Sequence, residues 1–213
     1  MIRLPENPAI RVGLLLAIFA ITATVLVALT ETQTRERIHE NQRQATLRAI
    51  AAVVPEQSFD NDILTDTLTL PATAALGTTE STTVYRARLD ETPVAAVLNV
   101  IAPNGYSGSI HMLVGIYYDG TVSGVRVISH RETPGLGDKI DERRDDWILQ
   151  FSGLSLQNPP ALRWKVKRDS GSFDQFTGAT ITPRAVVSAV QQALVYFEEH
   201  RDRLFMIPSV YDQ

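Results

Sequence analysis

Residues 109–130, SIHMLVGIYYDGTVSGVRVISH, decide the fold class of this chain. Two apolar runs, residues 109–118 and residues 121–130, are joined by the dipeptide Asp119-Gly120. Asp-Gly between two apolar runs is a strong signal for a two-residue hairpin turn, so the stretch predicts two antiparallel strands. We therefore expect an antiparallel meander with one buried face.

The segments on either side extend this hairpin into a mixed body. Residues 83–89 alternate apolar and polar side chains, residues 93–101 form an apolar run of strand length, and residues 162–166 favour another short strand. Residues 141–153 and 182–205 favour helices, and the second has an apolar stripe at helical spacing. The chain is therefore predicted to have an α+β fold. The stripe consists of Val186, Val187, Val190, Leu194 and Phe197.

The amino-terminal segment predicts a membrane anchor. Residues 12–30 are 19 residues without an ionisable side chain, and about 20 apolar residues in a helix span the hydrocarbon core. A cleaved signal peptide and a buried core helix are the alternatives, but the length of the run favours an uncleaved anchor. Because Arg3 and Arg11 precede the span, the positive-inside rule keeps residues 1–8 in the cytoplasm and sends the body across the membrane.

The same patterns predict the domain organisation. Residues 9–30 are expected to be the single transmembrane anchor. Residues 31–82 are expected to form a juxtamembrane helix, ended by Pro55, and then a polar approach segment outside the core. Residues 83–205 are expected to form the folded domain, and residues 206–213 a carboxy-terminal tail.

Composition excludes several classes of protein. The 213 residues contain no cysteine, which excludes disulfides, cysteine-ligated iron–sulfur clusters, thioether-linked haem and cysteine-based zinc sites. The net charge of −4 argues against a nucleic-acid-binding surface. No dinucleotide, P-loop or nucleophile fingerprint is present, so no independent catalytic site is expected. No metal site is assigned either, because the four histidines have no metal-ligand spacing: His39, His111, His130 and His200.

Two short stretches could bind a ligand. Residues 130–137, HRETPGLG, form an irregular loop with little side chain to obstruct a flat ligand, although a plain turn is the alternative. Residues 174–183, DQFTGATITP, lead into the last helix, with Thr182 expected as its cap and Pro183 as its first residue. The free amides at a helix amino end stabilise a phosphate, so a threonine just upstream could carry a phosphoester. The alternative is that these threonines only cap the helix.

Both stretches resemble motifs of one protein family. Residues 174–180, DQFTGAT, resemble the flavinylation motif D-x-x-[ST]-G-A-[ST], whose last hydroxyl residue receives flavin mononucleotide (FMN) through a phosphoester. Residues 132–137, ETPGLG, resemble the partner motif of the same membrane-anchored flavin-binding domains. With the single anchor and the chain length, they resemble the G subunit of the Rnf/Rsx ion-translocating electron transport complex. Two further elements match the family pattern: Gly105-Tyr106-Ser107-Gly108 and Asp119-Gly120.

The resemblance implies a covalent flavin site in the later motif. Thr180 would carry FMN through a phosphoester bond. Gly178 and Ala179 would give the attaching enzyme access to that hydroxyl. Asp174 would help the enzyme to recognise the site, and the hydroxyl of Thr177 would fix the turn.

The resemblance also implies how the flavin is held and what it does. Glu132, Thr133 and Leu136 would line the flavin ring, with Thr133 as a polar contact and Leu136 as an apolar one. Gly135 would complete this loop. The protein would relay electrons within a complex that couples ferredoxin and NAD redox chemistry to ion movement. The implied partners are the other subunits of that complex, a separate flavin transferase that uses FAD, and membrane lipid. The implied location is the bacterial inner membrane, with one span and the soluble domain in the periplasm.

Three alternatives stay open at this point. The C subunit of the sodium-translocating NADH:quinone reductase shares both motifs but tends to be longer. A membrane-tethered flavin-binding sensor would keep the domain without the complex. A periplasmic module that binds lipid or peptide without a cofactor would require both motifs to be coincidental.

Overall fold

A computed structural model describes residues 8–206, apart from the side chains of residues 32, 36 and 39. The chain divides into two compact units, residues 1–46 and residues 47–213. The cytoplasmic segment expected before the anchor lies outside the described residues except for its last residue, and so does the expected tail except for its first. The predicted α+β class is confirmed by an antiparallel sheet with helices.

The first helix, α1, runs over Pro8–Ala51 and contains the whole predicted anchor. Among the described residues it is the one helix that is long and apolar enough to cross a membrane, by length and composition. This is consistent with a membrane protein. The helix ends before the expected Pro55, because the turn that follows Ala51 buries Val53 and Val54 in a core.

The body is organised by one five-stranded sheet, in which each strand pairs antiparallel with the next one in the chain. Four of the strands lie where alternation and apolar runs predict them. A meander of this kind needs only short connections, so the sheet is built from contacts between sequence neighbours. The strands are β1 (Thr67–Leu70), β2 (Thr82–Leu89), β3 (Thr92–Ala102), β4 (Ile110–Tyr117) and β5 (Val122–Ser129).

The hairpin between β4 and β5 has a three-residue loop, so the predicted two-residue turn is one residue too short. The Gly120 N–H donates to the Tyr117 carbonyl at 2.9 Å, and the Tyr117 N–H donates to the Thr121 carbonyl at 2.8 Å. Gly120 has a φ of 89°, the left-handed conformation required at the last position of such a loop. Glycine therefore closes this hairpin without strain.

The second helix, α2, runs over Ile181–Met206 and covers one face of the sheet. Its predicted apolar stripe is confirmed, because all five side chains of the stripe are at most 2% exposed. They share a core with strand residues such as Leu98 and Val114. On the other face, Ile50 and Val54 join a smaller core with residues of β2, β3 and β4. Both faces of the sheet are therefore at least partly covered.

Two arginines of β2 fix the carboxy-terminal turn of α2. Arg86 Nη1 donates to the Leu204 carbonyl at 3.2 Å, and Arg88 Nη2 donates to the Phe205 carbonyl at 3.0 Å. Asp66 forms ion pairs with both guanidinium groups, at 2.5 Å with Arg86 and 2.7 Å with Arg88. The last carbonyls of a helix have no partner within it, so these donors satisfy groups that burial would otherwise penalise.

The polar segment before β2 belongs to the core, which corrects the expectation that it only approaches the domain. β1 pairs with β2, and the side chains of Ile63, Leu68 and Leu76 are at most 7% exposed. Leu68 and Leu70 stand two residues apart, as in a strand with one buried face. The threonines and aspartates around them hide this short pattern in the composition.

Two further secondary-structure predictions are wrong. The helix predicted over residues 141–153 is a 3₁₀ helix, Asp146–Phe151. The strand predicted over residues 162–166 begins instead as a 3₁₀ turn, Ala161–Arg163. The apolar side chains that suggested both elements are buried, but they pack as an aromatic cluster, and this packing fixes an irregular backbone. The ring contacts are Trp147–Phe151, Phe151–Trp164 and Phe151–Phe173.

Candidate functional site

The two predicted ligand-binding loops meet at one cleft of about 440 Å³. One wall is the loop that follows β5, and the other is the turn that precedes α2. Pockets that hold small molecules and cofactors have volumes of about 300–1,000 Å³, so the size suits an organic cofactor. The lining residues are Tyr106, Glu132, Thr133, Leu136, Gly137, Arg168, Gly178, Ala179, Thr180, Ile181 and Thr182.

The loop after β5 is a tight turn that its own backbone closes. The Thr133 carbonyl accepts from the N–H groups of Leu136 and Gly137, each at 3.1 Å. Gly135 has a φ of 77°, a left-handed conformation that glycine adopts without steric cost. The turn leaves Leu136 42% exposed, so an apolar side chain stands at the cleft and not in the core.

Glu132 connects this loop to two other segments. Its side chain is 4% exposed; one carboxylate oxygen accepts from the Ser107 N–H at 3.0 Å, and the other accepts from the Thr182 hydroxyl. A Cβ at Gly105 would lie 2.8 Å from the first oxygen, and a Cβ at Gly137 would lie 2.7 Å from the second. Glycine at both positions lets the backbone approach the carboxylate. Glu132 therefore holds three parts of the cleft together.

The turn before α2 brings the two motifs into contact. The Ala179 N–H donates to the Phe176 carbonyl at 3.1 Å, and Gly178, at the third position, has the positive φ of 82° that a type II turn requires. A Cβ added at Gly178 would lie 3.5 Å from Leu136 Cδ2. Thr177, at the second position of the turn, is exposed. The TGAT and ETPGLG motifs thus form one continuous surface.

Thr180 stands at the amino end of α2. Its carbonyl accepts from the Arg184 N–H at 3.3 Å, so Thr180 occupies the N-cap position and the helix begins at the next residue. The predictions that Thr182 caps the helix and that Pro183 is its first residue are therefore wrong by two positions. Thr182 is fully buried, and its hydroxyl donates a hydrogen bond to the carboxylate of Glu132. Thr180 is half-buried and lines the cleft.

Among the described residues, Arg168 is the one cationic side chain that lines this cleft. Its Nη1 donates to Thr180 Oγ1 at 3.4 Å, and its own backbone N–H donates to Gln175 Oε1 at 3.2 Å. The side chain is exposed, so it can meet a ligand without leaving a core. A guanidinium beside a hydroxyl at a helix amino end is well suited to an anion.

The neighbouring cations are engaged elsewhere. Lys167 Nζ pairs with Asp174 Oδ1 at 2.6 Å. Arg184 makes two hydrogen bonds to the carboxylate of Asp169, at 2.7 Å and 3.0 Å. These hydrogen bonds are the main cause that holds the pKa of Asp169 below its ordinary value. Both acids therefore neutralise cations next to the cleft and leave Arg168 facing it.

Two family models and several known proteins match this chain. A family described as FMN-binding domain matches residues 105–195, and one described as RnfG N-terminal region matches residues 1–53. The ion-translocating oxidoreductase complex G subunit of Pseudoalteromonas atlantica is 52% identical over 91% of this chain and 90% of its own length. The G subunit of Shewanella oneidensis is 44% identical over 95% and 96%, and that of Vibrio cholerae is 46% identical over 92% and 94%.

The chain belongs to this G subunit family. The resemblance predicted from the two motifs is thereby confirmed over nearly the whole length of the chain. The FMN-binding match contains every residue that lines the cleft. The amino-terminal match ends at residue 53, within the turn that follows α1.

The cleft contains most of the predicted site residues and several that were not predicted. Tyr106 belongs to the GYSG stretch noted in the sequence and stands 68% exposed at the cleft. Arg168 had no local signal, because it lies in an irregular segment that no motif covers. Six predicted residues line the cleft: Glu132, Thr133, Leu136, Gly178, Ala179 and Thr180. Three do not: Gly135, Asp174 and Thr177. Five unpredicted residues do: Tyr106, Gly137, Arg168, Ile181 and Thr182.

Proposed function

We propose that this chain is the electron-relay subunit of a membrane-bound ion-translocating complex that couples ferredoxin and NAD redox chemistry, and that its FMN is attached covalently to Thr180. Membership of the G subunit family and the FMN-binding match support the flavoprotein role. The observation that carries the covalent assignment is the cleft itself. Residues of both motifs line it, and the hydroxyl of Thr180 lies there beside the guanidinium of Arg168.

The lining of the cleft fits the two chemically different halves of FMN. Two side chains of the lining, Tyr106 and Leu136, are 68% and 42% exposed, so they offer contact surface for a flat ring. Arg168 and the free amides at the start of α2, beside Thr180, suit a phosphate. The ring would therefore lie toward Leu136 and the phosphate toward Thr180.

The residues of the chain bind and orient, while FMN supplies the acceptance and release of electrons. Leu136 would shield the ring from water, and Thr133 would offer it a polar contact. Glu132 keeps the loop of these residues in place. A phosphoester at Thr180 leaves the ring unmodified and prevents loss of the carrier by dissociation.

Maturation and assembly would require a transferase, the other subunits of the complex and membrane lipid. A separate transferase is expected to use FAD as the flavin donor, with Asp174 exposed as part of its recognition surface. The other subunits of the complex would donate and accept the electrons. Membrane lipid would surround the apolar part of α1.

Peptide mapping tests the attachment site directly. The protein is produced together with the transferase, digested, and analysed by mass spectrometry over residues 174–184. We expect one FMN, added as a phosphoester, on Thr180. FMN on Thr177 or Thr182, or a purified chain that carries no covalent flavin, would contradict the proposal.

The loop after β5 can be tested through the flavin spectrum. We expect Leu136→Asp to shift the absorption maximum or the reduction potential of the attached flavin, because it places a charge where an apolar side chain contacts the ring. Since Leu136 is 42% exposed, the substitution is expected to leave the fold and the covalent bond intact. Exposed Leu162, which does not line the cleft, gives the matched control Leu162→Asp. Identical spectra and potentials for both variants would show that the loop is only a turn.

The proposed topology is a single-pass inner-membrane protein with a cytoplasmic amino terminus and a periplasmic flavin domain. It rests on the uncharged run in α1 and on the arginines before it. A reporter fused after Gln213 is expected to be active only outside the cytoplasm, in a protein that retains residues 1–30. Cytoplasmic activity of the fusion, or a mature amino terminus near Glu31, would refute this topology.

A further inference from the structure

Arg168 differs from the neighbouring cationic side chains, because it lines the cleft and approaches the hydroxyl of Thr180. Four cationic side chains lie in or next to the segment of residues 165–168 and the first turn of α2. Two of them, Lys167 and Arg184, form close ion pairs with carboxylates. Lys165 is exposed and does not line the cleft. Of these four, only the guanidinium of Arg168 reaches the hydroxyl of Thr180.

The backbone of this segment holds Arg168 in place. The 3₁₀ turn Lys167–Asp169 is closed by Ser170, whose φ of 62° is left-handed, and the Ser170 N–H donates to the Lys167 carbonyl at 3.0 Å. The Arg168 N–H is fixed by the side chain of Gln175, at 3.2 Å. Gln175 lies in the flavinylation motif, so the motif helps to fix the backbone from which the Arg168 side chain extends.

We propose that Arg168 binds the FMN-side phosphate of FAD while it is transferred, and so sets the rate at which Thr180 is flavinylated. This inference rests on the proposed attachment site. In the transfer, Thr180 Oγ forms a bond to that phosphorus and the pyrophosphate P–O bond breaks. AMP leaves with the bridging oxygen, and the hydroxyl proton passes to solvent or to the phosphate of AMP. No oxidation or reduction occurs.

The guanidinium assists this step in two ways. Its N–H groups match phosphate oxygens in pairs, so it can hold the reacting phosphorus within reach of the hydroxyl. It also stabilises the negative charge that gathers on these oxygens as the bonds exchange. After transfer, the same contact stays with the phosphodiester, which keeps one negative charge. Arg168 is then a substrate-contacting residue supplied by the acceptor chain and not by the transferase.

Steady-state flavinylation of the full-length protein tests the proposal. Purified acceptor is mixed with transferase and FAD, and the initial rate is measured against acceptor concentration. Loss of one such donor typically costs about 10²–10³ in kcat when the donor is buried, so for the exposed Arg168→Gln we expect a fall of about tenfold or more. The KM for the acceptor and the melting temperature of the unlabelled protein should stay unchanged. Arg168→Lys should recover part of kcat.

Lys165→Gln is the matched control, since it removes one charge from the same exposed segment but not from the cleft. Its kcat should equal that of the wild type. A wild-type kcat for Arg168→Gln overturns the proposal. So does a raised KM with unchanged kcat, which would make Arg168 a docking contact, or a lowered melting temperature that accounts for the loss. Peptide mapping distinguishes these outcomes from a failure of the proposed function. If the wild-type chain carries flavin on a residue other than Thr180, the attachment site itself is wrong.

Discussion

A chain carrying Thr180→Ala is expected to lose all covalently bound flavin. Thr180 is the one hydroxyl residue of its motif that both lines the cleft and keeps its side chain available there, beside Arg168. The variant should still fold, because the side chain is half-buried and its removal costs at most a cap, about 1 kcal/mol. In-gel flavin fluorescence after production with the transferase measures the loss, and the melting temperature checks the fold.

The two neighbouring threonines provide controls for this result. Thr177→Ala removes an exposed hydroxyl that does not line the cleft, and full fluorescence is expected. Thr182→Val removes a fully buried hydroxyl that donates to Glu132, so fluorescence should remain while stability falls. Fluorescence that persists in Thr180→Ala would exclude Thr180 as the acceptor, whereas its loss in Thr177→Ala alone would show that the turn before α2 is also needed for attachment.

Glu132→Ala is expected to lower the free energy of unfolding by about 1–3 kcal/mol. The substitution removes the acceptor of the Ser107 N–H, on an exposed residue, and of the fully buried Thr182 hydroxyl, and a buried group left without a partner costs about 1–3 kcal/mol. The loss should appear in urea unfolding of the body as a lower midpoint with an unchanged slope.

Two variants make the interpretation specific. Glu132→Gln keeps the shape and one acceptor oxygen, so it should lose less stability than Glu132→Ala. Glu198→Ala removes an exposed carboxylate from α2 and should change stability by less than about 0.5 kcal/mol. Equal unfolding midpoints for Glu132→Ala and Glu198→Ala would mean that the buried carboxylate holds nothing together.

The parts of the fold that could be predicted from the sequence are those with long, regular patterns. β2 to β5 and the stripe of α2 are of this kind, because alternation and helical spacing there extend over many residues. β1 has only four residues, with Leu68 and Leu70 as its apolar signal, and the polar segment around it outweighs them. The strand predicted over residues 162–166, around Trp164, was wrong for another reason. Contacts among aromatic rings distant in sequence decide its backbone, and no local period records them.

The site shows the same division between local and non-local information. The two motifs identified the loops that meet, since each motif is a short contiguous string. The pairing of Glu132 with Thr182 joins residues 50 positions apart, and the approach of Arg168 to Thr180 depends on an irregular turn. The helix start was misjudged by two positions because Thr180 and Thr182 are both good capping residues. In the structure Thr182 is buried and bonded to the carboxylate of Glu132, and Thr180 occupies the N-cap position.

The clamp on the last turn of α2 has a consequence for the order of events during synthesis. Arg86 and Arg88 can bind the carbonyls of Leu204 and Phe205 only after those residues have emerged. Domains fold as units, so the packing of α2 on the sheet is completed only when the end of the helix is available. For the attachment proposed at Thr180, we therefore expect a chain truncated before Leu204 to accept flavin more slowly than the full chain.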